Sequence, residues 1–204
     1  MFFLYQIIIS IIILLSPLII LFRILNNKED TKRFKEKFCV FSETKVVGKL
    51  IWLHGASVGE LLSLIPIIYR LEKNKSIKQI LVTTNTLSSS KVFKKYKFKK
   101  TIHIYFPIDT NYLSKKFIKY WDPKIALFVE SEIWPNMFKN LNKKKIPIIL
   151  LNGRIAKKSF DRWKKLKSFS EKVFGWISLA MPQNNETLNY LKKLGVKKIS
   201  IAGN

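Results

Sequence analysis

Short apolar runs alternate along the chain with longer segments in which apolar and polar positions mix at helical spacing. The runs Lys49–His54, Gln79–Thr84, Thr101–Phe106, Lys124–Val129, Ile146–Leu151, Trp176–Met181 and Ile199–Gly203 are rich in Ile, Leu and Val. Several are apolar at successive positions, as strands covered on both faces are. Helices are expected over Glu60–Glu72, Ser88–Lys97, Thr110–Tyr120, Pro135–Lys143, Lys158–Phe174 and Asn184–Leu194. Strand, helix, strand at this pace predicts an α/β fold, a Rossmann-like parallel sheet with helices on both faces and right-handed crossovers. Ser57-Val58-Gly59-Glu60 has the Ser-x-x-Glu form of a capping box. Pro135 suits a first helical position, and Asp122-Pro123 marks a turn.

The first stretch departs from this rhythm. Phe2–Leu25 is nearly all apolar, with Gln6 and Arg23 as its strongly polar interruptions. A helix of about 20 apolar residues spans a bilayer core. No basic residue precedes the run and no small-residue cleavage pattern follows it, which favours an uncleaved transmembrane anchor over a signal peptide. Lys28, Lys32, Arg33, Lys35 and Lys37 come next, and positive residues stay on the cytoplasmic side. The expected layout is a single-pass membrane protein with its N-terminus outside and the rest in the cytoplasm. Residues 1–27 form the anchor, 28–48 a basic juxtamembrane segment, and 49–204 one cytoplasmic domain, long enough for a hydrophobic core.

Charge sharpens the picture only in part. Lys and Arg number 38 against 13 Asp and Glu, a net charge of +25. The excess is spread along the chain, so it fits attraction to anionic inner-leaflet lipids and phosphate-bearing substrates, and equally a Lys-rich solvated surface. No nucleic-acid-binding module is recognisable, and a membrane tether argues against such a partner. The single cysteine, Cys39, leaves no intrachain disulfide to form. No metal site is expected, because His54 and His103 lie on different strands and no Cys cluster exists. Neither a phosphate-binding P-loop nor a dinucleotide fingerprint is present. Ser57 near His54 fits a turn better than a nucleophile pair.

Open parallel sheets bind ligands beyond the carboxyl ends of their strands. The first such end reads His54-Gly55-Ala56-Ser57-Val58-Gly59-Glu60. Glu60 has an ordinary role there as capping-box partner, and a sharper one as a carboxylate able to accept a proton at the mouth of a cleft. Thr83-Thr84-Asn85-Thr86 is a hydroxyl-rich turn suited to helix capping or to sugar and phosphate oxygens. Asp109 reads as the N-cap of the helix after it. Glu130-Ser131-Glu132-Ile133-Trp134 sets two carboxylates beside a tryptophan directly after a buried strand, where charges need salt-bridge partners or a task. Arg154 in Asn152-Gly153-Arg154 suits a bidentate clamp on phosphate or carboxylate, or a partner for Glu130 or Glu132.

Taken together, IWLHGASVGE, FPID, ESEIWPN, the Asn-x-Arg of NGRIAKKS and the closing GVKKISIAGN resemble, in order, the signatures of the Kdo (3-deoxy-D-manno-octulosonic acid) transferases of lipopolysaccharide inner-core synthesis. The resemblance covers essentially the whole chain. It implies the N-terminal, acceptor-binding half of a GT-B glycosyltransferase that inverts configuration while moving Kdo from CMP-Kdo to the lipid A precursor, with no cofactor and no metal. Only this resemblance implies that the membrane is the cell inner membrane. It casts Glu60 as catalytic base and Glu130 as transition-state support. His54, Gly55, Ser57, Gly59, Thr83, Thr84, Glu132 and Arg154 then fall in the acceptor site. NTLSSS lacks the family's usual Gly, and Asn-Gly-Arg and Ala156 replace its Asn-Ala-Arg and Ser.

The family continues past Gly-Asn with a further Lys and the donor domain. The expectation is therefore that this polypeptide alone does not transfer Kdo, its donor half coming from a longer chain or a separate C-terminal polypeptide. The alternatives are a non-catalytic membrane-tethered remnant, or a GT-B transferase for another membrane lipid.

Overall fold

The computed structural model describes residues 2–201. Six strands form one parallel sheet: β1 (Leu50–His54), β2 (Gln79–Thr84), β3 (Thr101–Tyr105), β4 (Ile125–Val129), β5 (Ile148–Gly153) and β6 (Leu179–Pro182). Their spatial order is β3-β2-β1-β4-β5-β6. The chain winds one way from β1 to β3 and the other way from β4 to β6, so the switch point lies between β1 and β4. This is the doubly wound α/β arrangement expected.

The connecting helices are α2 (Val58–Glu72), α3 (Leu87–Phe93), α4 (Asn111–Trp121), α5 (Pro135–Lys143), α6 (Lys157–Lys165), α7 (Lys167–Phe174) and α8 (Asn185–Leu194), after an N-terminal α1 (Phe2–Leu25). All of β1 and β2 is buried, which explains their unbroken apolar runs. Two apolar layers sandwich the sheet. On one face Trp52, Phe117, Phe128 and Phe138 pack together; on the other Leu53, Leu61, Leu64, Ile68 and Val82 do.

Three expected elements differ. The helix expected over Lys158–Phe174 is two, broken at Leu166 (φ −108°, ψ 46°), and the break turns Trp163 back onto Phe169 and Phe174. The strand expected from Trp176 begins at Leu179, because the Trp176 and Ile177 N–H groups donate to carbonyls at the end of α7. The last expected strand appears as one parallel bridge, Ile199 to Ala180, and its remaining residues from 202 lie outside the described residues.

Residues 28–48 fold onto the sheet edge through Glu36 and Arg33. The Glu36 carboxylate, 1% exposed, accepts from the Tyr105 N–H (2.8 Å), the Arg33 guanidinium (2.8 and 3.1 Å) and the Ser42 hydroxyl. Tyr105 ends edge strand β3, so Glu36 satisfies a donor that would otherwise invite another strand. Arg33 also reaches the His103 carbonyl. Burial, with the nearby positive charge of Arg33, lowers His103 to about 3, so it stays neutral.

α1 is long and apolar enough to cross a membrane by length and composition. Its buried and half-buried positions Phe2, Tyr5, Gln6, Ile9, Ile13, Ser16, Ile20 and Arg23 recur every three or four residues, one stripe laid against the domain. Tyr5 Oη donates to Asp109 Oδ2 (2.7 Å) near one end, and Arg23 Nε to Glu29 (2.9 Å) near the other. Phe2 packs edge-on against Phe169 and Trp176. The first turns of α1 therefore touch the domain, and its last turn touches the segment that follows it.

Candidate active site

The residues singled out at the strand ends gather around the β1/β4 switch point. β1 ends at His54, and Gly55 leads into α2. The capping box forms with its return bond shifted by one residue: the Glu60 N–H donates to Ser57 Oγ (3.2 Å), while Glu60 accepts from the Ser57 hydroxyl (Oε1, 2.9 Å) and from the Ala56 N–H (Oε2, 2.7 Å) in place of the Ser57 N–H. This geometry holds the carboxylate in one place while leaving it half-exposed. Burial raises the Glu60 pKa, with smaller pushes from the negative charges of Glu132 and Glu130, against the pull of the Ala56 N–H and Ser57. The helix cap thus fixes a carboxylate that binds a proton more readily than a free one.

Gly55 is required by contact. A Cβ there would lie 3.0 Å from Glu60 Cβ and 3.2 Å from its carbonyl carbon. Gly59, by contrast, is exposed and open, the nearest atom to an added Cβ being Ser57 Oγ at 4.0 Å.

Glu132 takes neither Lys nor Arg as partner. Its Oε2 lies 3.1 Å from His54 Nε2 and accepts from Trp134 Nε1 at 3.0 Å. The other His54 nitrogen faces Thr83 Oγ1 (2.9 Å) and the Thr83 carbonyl (3.1 Å), and Trp52 Nε1 donates to the same hydroxyl. Thr84 Oγ1 pairs with His103 Nε2 (2.9 Å). His54, Thr83 and Thr84 have no exposed surface. They were expected among acceptor-contacting residues, but their polar atoms are spent inside the sheet. His54, backed by Thr83, stands behind Glu132, while Thr84 is turned toward His103 on β3.

Glu130 adopts a left-handed backbone (φ 57°), rare for a residue with a side chain, as does Asn152 (φ 48°) at the end of the next strand. The two turns are tied by backbone: the Glu130 N–H donates to the Leu151 carbonyl (3.0 Å), and the Arg154 N–H to the Glu130 carbonyl (3.3 Å). Arg154 therefore lies close in chain geometry, yet its guanidinium is exposed and makes no ion pair with Glu130 or Glu132 among the described residues. Among the described residues no three His, Cys, Asp or Glu are grouped to hold a metal ion.

Asp109 is the residue that spacing misplaced. Thr110 caps α4, its hydroxyl oxygen accepting from the Leu113 N–H (3.0 Å). Asp109, 1% exposed, instead accepts from the Asn136 N–H (3.0 Å) and the Met137 N–H (2.8 Å) at the start of α5. It caps a helix that begins 26 positions later in the chain, starting at Pro135. A local reading of the sequence carries no signal for that.

The chain is similar to known proteins along most of its length. A family model described as "3-Deoxy-D-manno-octulosonic-acid transferase (kdotransferase)" matches residues 32–204. A 3-deoxy-D-manno-octulosonic acid transferase of Rickettsia bellii is 34% identical over 186 residues, covering 91% of this chain and 44% of the relative. One of Haemophilus influenzae is 31% identical over 76% of this chain and 36% of its own length. A probable mitochondrial one of Arabidopsis thaliana is 37% identical over 72% of this chain and 34% of its own. The chain thus spans less than half the length of these relatives. Among solved structures, a UDP-N-acetylglucosamine 2-epimerase superposes with a TM-score of 0.55 at 12% identity over 77% of this chain and 48% of its own. A Staphylococcus aureus MnaA–UDP structure gives 0.54 at 15% over 76% and 44%. At such identities the likeness is one of fold alone.

Proposed function

This chain belongs to the 3-deoxy-D-manno-octulosonic-acid transferase family, and we propose that it is the acceptor-binding half of such an enzyme. In this reading it serves transfer of Kdo from CMP-Kdo to the phosphorylated, acylated glucosamine disaccharide of the lipid A precursor, at the cytoplasmic face of the inner membrane. The observation that carries the proposal is Glu60: a half-exposed carboxylate at the switch point, held by Ala56 and Ser57, its pKa raised by burial.

The chemistry follows from that placement. An acceptor hydroxyl approaches Glu60 and attacks the anomeric carbon of the donor sugar. Its proton passes to the carboxylate as the new C–O bond forms. The bond to the cytidylate phosphate breaks and CMP leaves with the electron pair. One base on one face, opposite the leaving group, gives inversion. Glu130 and Glu132 add negative charge near the centre where positive charge develops. Glu132 is fixed in place through His54 and Trp134. The lipid acceptor accords with an N-terminal helix apolar enough for a membrane and a net charge of +25. Because the relatives are more than twice as long, the CMP-Kdo site is assigned to a further domain, in a longer chain or a separate polypeptide.

Two experiments test the proposal. In the complete enzyme, Glu60→Gln removes the base while keeping its shape, and full activity in that variant would remove Glu60 from the mechanism. The 204-residue chain alone, given lipid A precursor and CMP-Kdo, is expected to form no product; any product would overturn the need for a second half.

A further inference from the structure

Between α1 and the sheet lies a cavity of about 430 Å³. One wall is α1, through Ile9, Ile12, Ile19 and Ile20; the other is the end of β3 and the start of α5, through Phe106, Ile108 and Trp134. The contacts of Tyr5 with Asp109 and of Arg23 with Glu29 hold α1 against the domain near both its ends, and the slot is the space between them. The wall is mostly apolar, with polar groups at Ser16, Asn85 and Asp109 and in the Arg23–Glu29–Lys37 cluster, so the slot suits an apolar chain that carries a polar or charged end. Its volume falls in the range of small-molecule sites.

Three features say which apolar ligand. The face of α1 turned away from the domain exposes Leu14, Leu18 and Phe22, so the slot is roofed by a helix fit to sit in lipid. At one end Arg23 and Lys37 share the single carboxylate of Glu29, at 2.9 and 2.5 Å, which leaves a net positive charge where an anionic head would lie. Glu60 itself does not line the slot, but two residues of its wall are one contact removed from the carboxylates of the site. Asn85 lines it and donates its N–H to the Ala56 carbonyl (3.2 Å), and Ala56 in turn holds Glu60. Trp134 lines the slot and also donates to Glu132.

We propose that this slot takes one acyl chain of the phosphorylated glycolipid acceptor, threaded between α1 and the strand ends so that its sugar is drawn toward Glu60. The assignment to the acceptor rests on the function proposed above. It also requires α1 to lie along the membrane face with the domain beneath it.

The test uses the full chain in phosphatidylethanolamine vesicles, without donor, so that turnover does not enter. The probe is a glucosamine disaccharide bisphosphate with a diazirine-bearing acyl chain, photolysed and mapped by mass spectrometry. Labels are expected on both walls, in the stretches 9–20 and 106–134. Ile108→Trp, which fills the slot, should cut labelling of 106–134 about tenfold, the effect of losing roughly two buried methylenes. Leu18→Trp, on the outward face, should leave it unchanged. Labels confined to Leu14, Leu18 and Phe22, or indifferent to Ile108→Trp, would overturn the slot. Equal labelling by a phosphatidylethanolamine carrying the same chain would overturn its assignment to the acceptor. A fully active Glu60→Gln enzyme with the wall labels intact would sink the base and leave the slot standing.

Discussion

Tyr5, in the second turn of the apolar N-terminal helix, donates its hydroxyl to Asp109 at 2.7 Å, and the same carboxylate caps α5 through the Asn136 and Met137 N–H groups. One buried acid thus joins the membrane-seeking helix to the loop that carries Glu130, Glu132 and Trp134. Burial pushes Asp109 up to about 7, against the pull of its three donors. The raised folded pKa fixes the sign of its contribution to stability. That contribution is fully present below the ordinary carboxylate value and is lost as pH rises through about 7. Thermal melts between pH 4 and 7.5 should therefore show a slope that Asp109→Asn flattens. Tyr5→Phe should cost about 1 kcal/mol, the usual net worth of a hydrogen bond, and should expose α1 to protease.

Glu60→Gln in the complete enzyme should lower kcat about 10²- to 10⁴-fold, the usual worth of a general base. The acid limb of the pH–rate profile should lie above that of a free glutamate, because burial raises the Glu60 pKa. Glu132→Gln removes a neighbouring negative charge that helps raise it, so the limb should move to lower pH. A limb that stays put in Glu132→Gln would show that the two carboxylates do not sense each other.

His54 and Glu132 should behave as a unit. Each single replacement strands a partner in the interior, at about 1–3 kcal/mol. Chemical denaturation of His54→Phe, Glu132→Leu and the double variant should give a coupling of roughly 0.5–3 kcal/mol. Strict additivity would mean that the 3.1 Å contact carries no energy.

Glu130 holds a left-handed backbone at φ 57°. Glu130→Gly should relieve strain and raise stability by about 1 kcal/mol while removing the carboxylate from the site. A melting temperature that rises as activity in the complete enzyme falls is the expected pair of results. Loss of both would place Glu130 in the fold instead.

Gly55→Ala places a methyl 3.0 Å from Glu60 Cβ. The carboxylate must shift by a few tenths of an ångström, and activity should drop more than stability does. Full activity would mean that α2 gives way without moving its cap.

Much of the site was legible because its logic is local. The Ser57–Glu60 capping box, Pro135 at the start of α5 and the unbroken apolar runs of β1 and β2 each depend on neighbours a few positions away. What was not legible depends on partners far along the chain. Arg154 reads either as an anion clamp or as a partner for Glu130 or Glu132, but the sheet delivers His54, 78 positions before Glu132, to that carboxylate. Glu36 lay in a segment read as basic, and its task appears only once β3 supplies the Tyr105 N–H.

By itself the sequence determined the α/β class, the polar strand ends and Glu60 as the carboxylate at a helix start, since hydrophobic period and capping rules act over a few residues. Only the tertiary structure decided that His54 and Thr83 stand behind the site, that Asp109 caps a distant helix, and that α1 lies along the domain with a slot beneath it. Those outcomes depend on which buried polar groups meet when the sheet closes. A buried donor or acceptor must be paired, and the partner that satisfies it is set by position in space rather than by distance along the chain.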